Sequence, residues 1–417
     1  MRIKGENIMV RPELRVEKFE KMAFGIFVHW GLYSIIESGE WVMKINGIPR
    51  EEYEKYIEEF TLENYNPREL TRLAKKVGAK YIVLTTKHHE GFFLYDTKGL
   101  SNYDAPHSSA KKDALKEFVD ACREDEIVPI FYHATMEWSE KYNGNFDQYL
   151  EYLRKSVEIL CTNYGEIGGF WFDGNWDRPG VDWKLDDIYG TIRKYQPNAM
   201  IINNTGLSRR GVLEHQEIDS VTFEQGMPTP IDRTNMTKYI SGEMCQTMNS
   251  HWGIAANDFN YKSPAELIET LCACRKVGAN YLLNIGPDKD GNITNMQKAI
   301  LEIIGKWLDI NGEAIYEGKP CEIESNGRDF ALRTESGRTY LFIHDLEIMG
   351  NENVTLGGEG DHPRSFTKVF NNINGIRWLD NKEELKYTHN KENGLLCVNA
   401  TGYPYGTNLV VRVAEVY

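Results

Sequence analysis

The chain has 417 residues, of which 41% are hydrophobic and 26% charged, and a formal net charge of −14. A chain this long exceeds the usual limit of one hydrophobic core, and its ordinary apolar content excludes disordered and fibrous classes. The acidic balance, with no Lys/Arg run, excludes nucleic acid as a partner and suits solubility instead.

Short apolar runs and helical patterns alternate along the chain. Strands are expected at 24–30, 81–86, 127–133, 168–174, 199–204, 220–225, around 242–245 and at 280–286. Helical patterns fall at 68–78, 111–125, 146–165, 183–196, 264–278 and 296–312, and none separates the sixth and seventh strands. Parallel strands need crossover helices, and their continuous apolar runs need cover on both faces. The pattern therefore predicts an α/β fold, a (β/α)8 TIM-like barrel over residues 1–316. From about residue 320 the texture changes to short β-rich runs: FALRTES, TYLFIHD, NVTLGG, FTKVFNN, GIRWLDN, LLCVNAT and NLVVRVAEV. Gly, Asn and Asp separate them, which predicts a C-terminal β-sandwich over 317–417.

No stretch approaches the roughly 18–20 apolar residues of a membrane span. The first 22 residues lack the apolar middle of a signal peptide. Seven scattered cysteines, an odd number, fit reduced thiols better than a disulfide framework. A cytoplasmic location away from membranes follows as the expectation. Cys272 and Cys274 sit one residue apart in a helical pattern and face different sides, which disfavours a metal site there. The sequons Asn235-Met236-Thr237 and Asn353-Val354-Thr355 carry meaning only in a secreted chain.

In barrels of this type the carboxyl ends of the strands and the loops after them build the active site. Those places hold His29, Trp30, His88, His89, Glu90, Tyr132, His133, Glu137, Trp138, Asp173, Glu224 and Glu243. Imidazoles that bond hydroxyls and indoles that stack on a sugar's apolar face suggest a hydroxylated ligand. The strand GFWF stops at Asp173, between Trp171 and Trp176. That carboxylate either caps the following turn or is the centre of a site whose aromatic walls tune its acid strength. Neighbouring His88 and His89 point in different directions on a strand end. With no HxH or HExxH spacing beside them, a metal is not expected.

FGIFVHWGLYS (24–34), GEWVM (39–43), AKYIVLTTKHHEGF (79–92), FWFDG (170–174), DSVTFEQGMP (219–228) and NYLLNIGPDKDGNI (280–293) together resemble family 29 of the glycoside hydrolases, the α-L-fucosidases. The likeness runs through about the first 315 residues. It implies a retaining exo-glycosidase acting on terminal α-L-fucosides of an oligosaccharide or glycoconjugate. It also implies a barrel followed by a β-sandwich, with no metal or other cofactor. By the same resemblance Asp173 matches the nucleophile. His29, Glu40, Trp41, His88, His89, Tyr132 and Trp171 match residues around the sugar. Glu224 matches the acid/base of the broad-specificity subgroup, and Glu243, in another recurrent motif, is the second choice. Where many members carry an Arg after the fifth strand this chain has Thr205, with Arg209 and Arg210 following. The residues leave room for a non-catalytic protein that binds fucose or galactose on the same barrel, and for a homo-oligomer. Leaving-group selectivity is expected from the loops 99–113 and 226–236.

Overall fold

The computed structural model describes residues 11–234, 236–358 and 361–417. The first ten residues of the N-terminal stretch read above, and Asn235 of the first sequon, lie outside the described residues.

Eight parallel strands close into a barrel in chain order. They are β1 (Phe24–Val28), β2 (Tyr81–Lys87), β3 (Val128–Ala134), β4 (Gly169–Asp173), β5 (Met200–Asn203), β6 (Ser220–Glu224), β7 (Ser241–Thr247) and β8 (Asn280–Ile285). Burial on both faces explains their near-continuous apolar runs. In β1, β2, β5, β7 and β8 every residue is buried. Helices Pro67–Lys76, Ala114–Glu124, Phe146–Asn163, Leu185–Tyr195 and Pro264–Lys276 provide most of the crossovers, and Asn295–Tyr316 follows β8. The helix expected from 111 starts at Ala114, because the Asp113 side chain accepts the Lys116 N–H at 2.9 Å and caps it there.

Neither the β5–β6 nor the β6–β7 connection contains a helix among the described residues. The buried Asp219 carboxylate gathers this side of the barrel instead. It pairs with Arg15 at 3.0 Å, Arg193 at 2.7 Å and Lys238 at 2.7 Å, and it accepts the Ile201 N–H at 2.9 Å. Three cations and a strand amide around one carboxylate are the pairing that a buried charge requires.

The C-terminal strands are β9 (Lys319–Pro320), β10 (Glu324–Ser325), β11 (Phe330–Arg333), β12 (Thr339–Ile343), β13 (Asp361–Thr367), β14 (Ile376–Trp378), β15 (Tyr387–Asn390), β16 (Leu395–Thr401) and β17 (Arg412–Val416). They form two antiparallel sheets, β10-β13-β16-β15 and β14-β17-β12-β11-β9. Leu341, Ile343, Phe366, Trp378, Leu396, Val398 and Ala414 pack into one core. The run NVTLGG is not a strand. Val354 and Thr355 donate their N–H groups to the Asn351 carbonyl in a turn, and Leu356 is exposed.

The chain divides into two compact units. One takes in residues up to Lys75, Ala79–Tyr261 and Leu282–Gln297, and the other Lys76–Gly78, Lys262–Tyr281 and Lys298–Tyr417. The second unit contains the helix Pro264–Lys276. Its buried Arg275 donates to the carbonyls of Ala279 and Ile315, each at 3.1 Å. Among the described residues no helix is long and apolar enough to cross a membrane.

Candidate active site

Asp173, the last residue of β4, is followed by Gly174 at φ +117°. A Cβ there would stand 2.5 Å from the Met136 backbone nitrogen, so only glycine lets the chain leave the strand at this point. The turn sets the Asp173 carboxylate in a cavity of about 470 Å³ at the carboxyl ends of the strands. His29, Glu40, Trp41, His88, His89, Tyr132, Trp171 and Glu224 line the same cavity, brought there by β1, β2, β3, β4, β6 and the 39–43 loop.

Asp173 is 14% exposed and surrounded by donors. Tyr132 Oη reaches Oδ2 at 3.0 Å, Trp176 Nε1 reaches Oδ1 at 2.8 Å and Asn204 Nδ2 reaches Oδ1 at 3.1 Å. His89 Nε2 stands 3.4 Å from Oδ2. Burial alone would raise the pKa of this carboxyl. The interactions with His89, Trp176 and Asn204 outweigh burial and hold the group below the ordinary carboxylate range, so it is ionised at neutral pH. Burial, and then the charge on Asp173, keeps the Tyr132 phenol protonated and hence a donor.

Glu224, the last residue of β6, shows the opposite behaviour. Its Oε2 accepts Asn204 Nδ2 at 2.8 Å. Burial, followed by repulsion from Asp173, pushes its pKa up to about 7, against the weaker opposing effects of Asn204 and Arg210. One amide nitrogen thus bridges both carboxyl groups. Two oxygens bonded to one nitrogen at 3.1 and 2.8 Å lie within about 6 Å of each other, whatever the angle between the bonds. An ionised carboxylate facing a protonatable one at this spacing can attack one face of a carbon while protonating an oxygen on the other.

The ring of ligands around them is largely neutral. Asn284 Nδ2 donates to the Trp252 carbonyl at 2.7 Å, which turns Asn284 Oδ1 toward His29 Nδ1 at 2.6 Å. The Nδ1 of His29 therefore carries the proton, leaving Nε2 as an acceptor for a hydroxyl. Burial, and then the neighbouring imidazoles, lowers the pKa of both His29 and His88 well below the usual value. Glu40 Oε2 accepts the backbone N–H groups of Trp252 at 3.0 Å and Gly253 at 2.8 Å. Trp41 meets Trp138 edge-on at 4.8 Å, and Trp171 stacks on Tyr132 at 5.7 Å beneath the cavity. Among the described residues no group of His, Cys, Asp and Glu is arranged to hold a metal.

Several candidates lie elsewhere. Glu243 does not line the cavity. It is buried inside the barrel, where its two oxygens accept Trp171 Nε1 at 2.8 Å and Tyr81 Oη at 2.5 Å. Glu137 forms a buried ion pair with Lys87 at 2.9 Å, and His133 bonds Ser156 and Thr86 behind β3. Arg209 pairs with Glu214 at 2.6 Å, and Arg210 Nε donates to the Glu224 carbonyl, so neither guanidinium lines the cavity. The loops 99–113 and 226–236 contribute no described residue to the cavity, whereas Thr205–Ser208 do.

Sequence reasoning missed Asn204, Trp252 and Asn284. Asn204 and Asn284 are polar residues at the ends of β5 and β8, and a census of every strand end would have found them. Trp252 sits in the loop after β7, where nothing local singles it out.

Residues 10–313 match the family model of the Alpha-L-fucosidases. The chain is 29% identical to the tissue alpha-L-fucosidase of Macaca fascicularis over 416 residues, covering 91% of this chain and 83% of that one. Against the mouse tissue enzyme the identity is 30%, over 74% of this chain and 72% of the other. Among solved structures, alpha-L-fucosidase isoenzyme 1 from Paenibacillus thiaminolyticus superposes with a TM-score of 0.82 at 30% identity, covering 97% of this chain and 98% of that one. On these grounds the chain belongs to the alpha-L-fucosidase family and is a glycoside hydrolase.

Proposed function

We propose that the chain removes terminal α-L-fucose from small oligosaccharides or glycoconjugates with retention of configuration. Asp173 is the nucleophile and Glu224 the acid/base. In the first step an Asp173 oxygen bonds to the anomeric carbon as the bond to the leaving oxygen breaks, and Glu224 gives that oxygen its proton. In the second, Glu224 takes a proton from water, the water oxygen bonds to the same carbon, and the Asp173 carboxylate leaves. The observation that carries this reading is the Asn204 bridge. It keeps the two carboxyl oxygens it touches within about 6 Å of each other, which is compatible with the roughly 5–5.5 Å spacing of retaining enzymes and below the roughly 6.5–9.5 Å of inverting ones.

His29, His88 and His89, with Glu40, receive the fucose hydroxyls, while Trp41 and Trp171 face its apolar surfaces. The place of Glu224 at the end of β6 supports membership of the broad-specificity subgroup. We assign catalysis to residues 1–316 and the accessory sandwich to 317–417, since the last barrel helix ends at Tyr316 and β9 starts at Lys319. Seven free thiols support a reducing, cytoplasmic setting. A screen of aryl glycosides with proton NMR of the first-formed sugar tests the reading. Release of α-L-fucose first is expected, and β-L-fucose first would overturn it.

A further inference from the structure

We propose that Leu207, on the loop between β5 and β6, forms the apolar contact for the leaving group and so selects among aglycones. The inference rests on the retaining reading above. In that reading Asp173 and Glu224 flank the anomeric carbon, and the leaving oxygen departs on the side of Glu224, away from the attacking carboxylate. Whatever stands beside Glu224 at the cavity mouth must then meet the aglycone.

The loop after Asn204 stands there. Arg210 Nε donates to the Glu224 carbonyl, and the Gly211 N–H reaches the Thr222 carbonyl at 2.8 Å, which ties the loop to β6. Thr205 Oγ1 donates to the Arg209 carbonyl at 2.6 Å and closes the loop on itself. On its other flank Gly206 lies against Trp176. A Cβ at this glycine would stand 3.3 Å from the indole, and its φ of +78° suits glycine as well. The loop is thus held between Trp176, beside the nucleophile, and the end of β6, which carries the acid/base. From this mount Leu207 lines the cavity with 57% of its surface exposed.

Leu207 has no polar atom with which to bind a fucose hydroxyl, and the groups suited to that task are the imidazoles and Glu40. An exposed aliphatic chain at a sugar-cavity mouth gains from covering a flat apolar surface. The leaving group it fits is an aryl ring or the C–H face of a pyranose.

Two substrates with the same fucose separate this role from any other. One is 4-nitrophenyl α-L-fucoside; the other is α-L-fucosyl fluoride, whose leaving group is a single atom. In Leu207→Ser the ratio of kcat/KM for the aryl fucoside to that for the fluoride falls roughly 5- to 10-fold, the effect of losing part of an apolar contact. Leu207→Met, which keeps an apolar chain, holds the ratio within about twofold of the parent. An equal change on both substrates in Leu207→Ser overturns the assignment. So does a Met variant that loses the ratio as far as Ser does. Failure of the unmodified enzyme to turn over fucosyl fluoride at all sinks the fucosidase reading itself, a separate result from a failed assignment of Leu207.

Discussion

Asn204 donates to Glu224 at 2.8 Å, and the same amide nitrogen reaches Asp173 at 3.1 Å. Thr222 Oγ1 at 3.0 Å and the Gly206 N–H at 3.2 Å both donate to its carbonyl oxygen, which fixes the amide so that the nitrogen faces the carboxyls. Asn204→Ala removes a donor that favours the ionised form of each acid. We expect kcat/KM to fall about 10²-fold, the usual scale for a lost preorganised donor. The alkaline limb of its pH profile should move up, since Glu224 loses an interaction that lowers its pKa. Near-parent activity with an unmoved limb would show that the bridge is not used.

The pH profile of the parent enzyme has a definite sign. In the proposed mechanism glycosylation needs Asp173 ionised and Glu224 protonated. Asp173 is held below the ordinary carboxylate range, while Glu224 is pushed up to about 7 by burial and then by the charge on Asp173. Activity should hold through mildly acidic pH and fall about tenfold per unit once pH rises well past 7. Measuring kcat/KM across pH tests this, and a profile that climbs through neutrality would contradict the acid role of Glu224.

With Glu224 as the proposed acid, its removal should matter in proportion to the help a leaving group needs. Glu224→Gly is expected to slow fucosides with poor leaving groups by roughly 10²–10⁴-fold, and activated aryl fucosides far less. Azide, entering where water would, should give a fucosyl azide of retained configuration. A variant equally slow on both classes of substrate would remove Glu224 from proton transfer.

Glu243 has a different setting. It is buried beneath the cavity and anchors the Trp171 indole and the Tyr81 hydroxyl. A glutamine can accept from Trp171 through its oxygen and donate its amide to the Tyr81 oxygen, so Glu243→Gln should stay folded and show no azide rescue. Glu243→Leu removes the acceptor that the Trp171 indole N–H and the Tyr81 hydroxyl share, at about 1–3 kcal/mol for the buried indole N–H, which a thermal melt will register as a lower Tm. Azide-dependent recovery in Glu243→Gly, absent from Glu224→Gly, would instead transfer the acid/base role to Glu243.

The barrel was legible because its strands are buried on both faces and announce themselves as unbroken apolar runs, as in FGIFV and YIVLTT. The connections on either side of β6 were harder. Their place is taken by the charge cluster on Asp219, which draws partners from residues 15, 193 and 238, and no local pattern records such long-range pairing. The site divides in the same way. Asp173 stood out as a charge at the end of an aromatic strand, and the histidines as polar residues at strand ends. Glu224 lines the cavity and Glu243 does not, a difference of depth along the barrel that the sequence does not record. Thr222, two residues before Glu224, pairs in register with Glu243, so Glu243 lies about two residues deeper than Glu224. The run NVTLGG failed because β-branched content alone does not supply a partner strand.

The most direct measurement is azide rescue of Asp173→Gly. With the carboxylate gone, turnover of an aryl α-L-fucoside should fall by at least about 10³-fold, since the proposed covalent step is lost. Azide then fits the vacated space and attacks the same face of the sugar. Rescue should yield β-L-fucosyl azide, the inverted product, identified by NMR. Parent-level activity in the glycine variant, or an azide product of retained configuration, would contradict Asp173 as the nucleophile.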